Sequence, residues 1–190
     1  MRAILGALTG LCDLAATGGG VVVSGSDSAS EWLTQHRAAL PGNLRSFEAD
    51  DRVHAELMDK LALYRIASGI GIRVPEFHHI RDRSDLLAVL PELRFPRVLK
   101  ARMGHVAKLT VGFGTVLVST RRDLLQRGDR LLDNGIDFLV TDIVPGRERR
   151  LEAAVTVRGE DGAYTLEYGR RKIRQWPVDY PVASEGDDPV

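Results

Sequence analysis

At 190 residues, with 44% hydrophobic and 27% charged side chains, the chain is long enough to bury a core and has the composition of an ordinary globular protein rather than a fibrous or disordered one. Its 26 basic and 26 acidic residues cancel, which removes any global electrostatic case for nucleic acid or an anionic membrane. The single Cys12 excludes an intrachain disulfide and offers no zinc spacing, which points to a reducing, cytoplasmic compartment.

Residues 3–16 place Ile4, Leu5, Leu8, Leu11, Cys12 and Ala15 at helical spacing. This apolar opening has only Arg2 as an early positive charge, carries Asp13, and falls short of a membrane span, so a secretory signal is the lesser reading. Gly18-Gly19-Gly20 lacks the Lys-Ser/Thr pair of a phosphate loop and reads as a helix stop before the strand Val21-Val22-Val23. Ser28 to Ala39 returns to helical spacing through Trp32, Leu33 and His36. The result is a fragment of a Rossmann-like layer, which would normally offer earlier strands for Val21–Val23 to pair with. Pro41 to Asp51 reads as a polar loop or short strand, and Asp51 to Ser68 as one helix with Val53, Leu57, Leu61, Tyr64 and Ile66 inward.

Gly69 to Pro75 is a helix stop and an extended segment. Glu76, His78 and His79 follow, but adjacent residues on extended chain face opposite ways, which argues against a shared metal. Ser84 is the expected N-cap of a helix over 85–90 that Pro91 stops. The run Phe95-Pro96-Arg97-Val98-Leu99-Lys100 is a strand ending in an ammonium with no acid beside it in sequence, a lysine that suits an anion or reaches water. Residues 102–115 contain several glycines and are expected to form a mobile hairpin whose Arg102, His105 and Lys108 can meet phosphate oxygens. Val116–Val118 is a strand, Ser119/Thr120 caps a helix over 121–132, and Asn134-Gly135 closes it. A second apolar strand, Phe138 to Val144, is halted by Pro145-Gly146 and followed by Glu148. Leu151–Val157 and Tyr164–Gly169 form a hairpin around Asp161-Gly162. The basic run Arg170–Arg174 alternates sides, so part of it is a wet face and part suits phosphate or an acidic substrate. The tail 184–190 is acidic and apolar-poor, with the composition of disorder.

In this order the pieces resemble the ATP-grasp superfamily, most closely its carboxylate-amine ligase-like branch. Asp59-Lys60 is similar to the family's DK pair, Gly69 to Pro75 to its G-hydrophobic-x-VP passage, and Phe95 to Lys100 to its FPxVLKPR strand. Val140-Thr141-Asp142-Ile143-Val144-Pro145-Gly146 resembles the hinge, and Arg171 to Pro177 the RKLRQ(Y/W)P segment. The resemblance covers about residues 20–190 and implies an α/β (α+β) fold. Its parts would be a partial Rossmann-like region over 1–50, a small subdomain over 51–101, a lid and hinge subdomain over 102–183 and the acidic tail.

For the site, the resemblance implies that Lys60 and Lys100 approach the α- and β-phosphates of ATP. The hinge Thr141, Asp142, Ile143 and Val144 would meet the adenine edge through the backbone of Asp142 and Val144, and Glu148 the ribose hydroxyls. Arg102, His105 and Lys108 would sit in the lid, and Lys172 and Arg174 near the phosphates. The chain departs from the family at Ala101, at Thr141-Asp142 and in having fewer lid glycines. Mg²⁺ is implied as well, but the family's Glu and Glu-x-Asn ligands have no counterpart after Trp176, and Glu185, Asp187 and Asp188 have no strand to fix them. The expectation is therefore the middle of a longer enzyme, whose family reaction joins a carboxylate to an amine or thiol through an acyl phosphate. The alternative is a non-catalytic nucleotide-binding remnant that needs a companion chain or self-associates, and a third reading is a structural module without ligand. Nucleic acid and membrane are not expected partners.

Overall fold

The computed structural model describes residues 19–47, 51–145, 152–159 and 161–171. The expected helix over 3–16 with Cys12, together with Glu148, Lys172, Arg174 and the acidic tail, lies outside the described residues. The described residues form two compact units: those up to Val74 together with Arg102–Gly114, and Pro75–Ala101 together with those from Thr115 onward.

In the first unit, strand β1 (Gly20–Val22) pairs in parallel with β2 (Leu44–Ser46), Val21 opposite Arg45. Helix α1 (Asp27–His36) makes the crossover and starts where the Ser26 hydroxyl accepts the Ala29 N–H at 3.2 Å. The partner of β1 therefore comes after it in the chain, within the stretch read as a loop or short strand.

Asp51 to Ser68 is not one helix. It divides into α2 (Asp51–Met58) and α3 (Lys60–Gly69), with Asp59 between them in extended backbone. The Asp59 carboxylate accepts the N–H groups of Leu61 at 2.9 Å and Ala62 at 3.3 Å. An aspartate that satisfies the first donors of a new helix competes locally with continuation of the old one.

The expected hairpin over 102–115 is replaced by a helix, α5 (Gly104–Val111). Ala107 and Val111, four apart on one helix face, are both buried, and that burial outweighs the turn tendency of the flanking glycines. Gly112 alone among these glycines adopts a left-handed φ, 85°, and ends the helix with its N–H on the Lys108 carbonyl at 3.1 Å.

The second unit is built on a four-stranded sheet of β3 (Phe77–Ile80), β4 (Arg97–Ala101), β5 (Thr115–Val118) and β6 (Phe138–Thr141), ordered β3-β6-β4-β5 with every neighbour antiparallel. Helix α4 (Arg83–Val89) joins the parallel-running β3 and β4 around β6, and α6 (Arg121–Leu132) joins β5 and β6 around β4. Two split β-α-β units thus interlock. Asp82, not Ser84, caps α4 by accepting the Asp85 N–H at 2.9 Å, whereas Thr120 caps α6 as its sequence predicts. Arg81 donates from Nε and Nη2 to Asp85 at 2.7 and 2.9 Å, and its hydrogen bonds hold that carboxyl down to about 2.

Gly128 of α6 permits the close approach of helix to sheet, since a Cβ there would lie 2.9 Å from Phe138 Cζ and 3.1 Å from Leu86 Cδ2. Helices α4 and α6 therefore cover the sheet face that carries Phe138, Ile80, Leu99 and Ala101, all fully buried. The unit continues in an antiparallel ribbon, β7 (Glu152–Arg158) and β8 (Tyr164–Arg171), turned at Gly162 with φ 80°. No helix among the described residues is long and apolar enough to cross a membrane.

Candidate functional site

The first unit gathers Asp59, Lys60, Arg102 and Gly104. Capping places the Asp59 carboxylate at the start of α3, and its Oδ2 accepts from Arg102 Nε at 2.8 Å and Nη2 at 2.7 Å. The backbone makes a second bridge, Lys60 N–H to the Arg102 carbonyl at 3.2 Å. Lys60 thereby faces α5, where a Cβ added to Gly104 would stand 2.7 Å from Lys60 Nζ. Met103, at the N-cap of α5, gives the helix no side-chain cap. An ammonium and the positive end of a helix macrodipole occupy the same place, an arrangement that favours an anion.

Burial pushes the Asp59 carboxyl up, but the Arg102 hydrogen bond, the Ala62 and Leu61 N–H groups and the guanidinium charge together hold it below the ordinary aspartate value. A depressed folded value contributes stability that is present above the unfolded aspartate range and is lost as pH falls through the folded value. Melting followed between about pH 5 and pH 2 should fall more steeply in the native chain than in Arg102→Gln, whose Asp59 has less to lose. Equal slopes would remove the coupling.

The remaining lid candidates are placed differently. His105, in the first turn of α5, is held by Glu31 of α1 at 2.7 Å, and Lys108 is exposed in the last turn. Neither Glu31 nor the paired role of Asp59 is visible in the sequence pattern, although an Asp before a helical run is the signal that marks a cap.

In the second unit, register decides the place of Lys100. It lies opposite Leu139 of β6 and Thr115 of β5, and directly opposed residues share a face. That face, which also carries Val98 and Thr141, is the one turned away from α4 and α6. Next to the paired Val98 and Thr141, Arg97 and Asp142 form an ion pair across β4 and β6. The stretch expected to be a hinge starts beside an open cavity of about 450 Å³ lined by Arg94, Phe95, Pro96, Arg97, Asp142 and Ile143.

Two expected hinge groups are already engaged. The Asp142 N–H donates to the Glu76 carbonyl at 2.9 Å, and the buried Thr141 hydroxyl donates to the Val98 carbonyl at 3.4 Å. Val144 is exposed. His78 and His79 point to opposite faces of β3 and meet different carboxylates, Glu76 at 3.9 Å and Asp137 at 2.7 Å. Among the described residues no group of three metal-ligating side chains comes together.

No protein-family profile matches the sequence, and no curated protein matches it. Solved structures do match in fold. An N5-carboxyaminoimidazole ribonucleotide synthetase from Thermus thermophilus is 22% identical with a TM-score of 0.59, over 91% of this chain and 42% of that one. A carboxyaminoimidazole ribonucleotide synthase from Aspergillus clavatus, complexed with ATP, is 18% identical with a TM-score of 0.54, over 85% and 39%. A RimK domain protein ATP-grasp from Sphaerobacter thermophilus is 22% identical with a TM-score of 0.51, over 64% and 46%. The chain spans less than half the length of each of these structures.

Proposed function

The chain carries part of the ATP-grasp fold, and from that premise we propose that it binds an adenine nucleotide and contributes nucleotide-binding elements to an ATP-dependent ligase. The observation that carries this reading is the Lys60 ammonium set against the N-terminus of α5, which has no side-chain cap. Cation, helix dipole and backbone donors of the first turn all favour phosphate oxygens. Lys100 is the corresponding cation of the second unit. Its side chain leaves β4 on the face opposite to that of Arg97, because side chains alternate along a strand.

At the hinge, the Asp142 carbonyl would accept the exocyclic amino group of adenine, because its N–H is already used, and the Val144 backbone would serve the ring nitrogen. Glu148 is proposed for the ribose, with Arg102, His105, Lys108, Lys172 and Arg174 near the phosphates. The acyl transfer itself, with its carboxylate and amine and the magnesium that would neutralise developing charge, belongs to the proposed whole enzyme. Titration calorimetry of ATP into the native chain and Lys100→Ala tests the reading. A charge-assisted contact is worth about 1.5–3 kcal/mol, so the variant should bind tenfold or more weakly. Equal affinities, or no ATP binding by the native chain, would end it.

A further inference from the structure

We propose that Asp59 is a positioning residue that sets the Lys60 ammonium at the N-terminus of α5 for a phosphate group, an inference that rests on the nucleotide-binding reading above. Its two oxygens have separate tasks. Oδ1 takes the Leu61 and Ala62 N–H groups and starts α3, while Oδ2 takes both Nε and Nη2 of Arg102, 43 residues away. The Lys60 N–H on the Arg102 carbonyl doubles the tie, so the first turn of α3 is joined to the segment entering α5 through side chain and backbone.

That segment has little freedom to adjust. A Cβ at Gly114 would come within 2.5 Å of the Gly104 carbonyl oxygen, and one at Gly104 within 2.7 Å of Lys60 Nζ, so Gly104 is held close on both sides. The distance from the ammonium to the helix N-terminus therefore follows from where Asp59 holds Arg102. The Asp59 side chain is only 13% exposed, and as a carboxylate it repels phosphate rather than contacting it.

This opposition gives the proposal a sign. If Asp59 acted only through its charge, neutralising it would remove repulsion and tighten ATP binding. A positioning role predicts the reverse. Asp59→Asn keeps an amide oxygen for the cap, so the Leu61 and Ala62 amides should exchange with solvent as in the native chain. The Lys60 amide should exchange roughly tenfold faster without any nucleotide, because its Arg102 acceptor is no longer held. By calorimetry ATP should bind roughly tenfold more weakly and adenosine unchanged.

Arg102→Lys leaves the cap untouched and loses the two-pronged donor, so it should show the same faster Lys60 exchange even if Asp59→Asn folds poorly. ATP binding by Asp59→Asn as tight as or tighter than native, or unchanged Lys60 exchange in both variants, overturns the proposal. A native chain that binds no ATP overturns the nucleotide reading and this proposal's ligand together. Normal native binding with an unaffected Asp59→Asn overturns this proposal alone.

Discussion

Phe138→Ala is expected to destabilise the second unit by about 3–5 kcal/mol, the range for truncating a buried aromatic side chain. Phe138 is fully buried on β6, with its ring edge against the space left by Gly128 and close to Leu86. Removing the ring leaves a void that α4 and α6 can close only by shifting against the sheet, so the lost contacts and the cavity both count. Chemical denaturation with the slope held common between native and variant measures the difference. A loss under about 1 kcal/mol would mean that the helices collapse onto the sheet and that the packing is looser than the burial suggests. Gly128→Ala tests the opposite error. An added methyl would meet Phe138 and Leu86, and overpacking of this kind costs about 1–3 kcal/mol.

Lys60→Ala should weaken ATP by about 1.5–3 kcal/mol, tenfold to over a hundredfold, while leaving the melting temperature close to native. The side chain lies against Gly104 at the start of α5, so its loss empties a place beside the positive end of a helix rather than a packed core. Salt distinguishes a phosphate contact from a structural one. The native-to-variant gap should narrow as ionic strength rises, because a partly exposed charge interaction is screened. A variant that binds ATP like the native chain at low salt would show that Lys60 has no phosphate partner. One that melts far below native would show that the lysine holds the unit together instead.

The local patterns that the sequence determined are those a single segment can satisfy by itself. The runs ending in Lys100, at Val116–Val118 and from Phe138 each became a strand, because a short apolar run between turn residues has few other ways to bury itself. Thr120 capped its helix as predicted, since cap and donor are only three residues apart. The order of these pieces was also enough to reveal the ATP-grasp likeness. Tertiary structure decided what depended on partners far along the chain. Helical spacing across 51–68 fits one helix or two, and the break at Asp59 is secured by Arg102. Glycines within 102–115 suit a hairpin, yet burial of Ala107 and Val111 made a helix. The pairing of β1 with β2 and the β3-β6-β4-β5 order are contacts between segments that no window of sequence contains. Lys100 was legible as a lysine at a strand end. Its face, opposite α4 and α6, was settled only by register, because a one-residue slip would have turned it toward the helices.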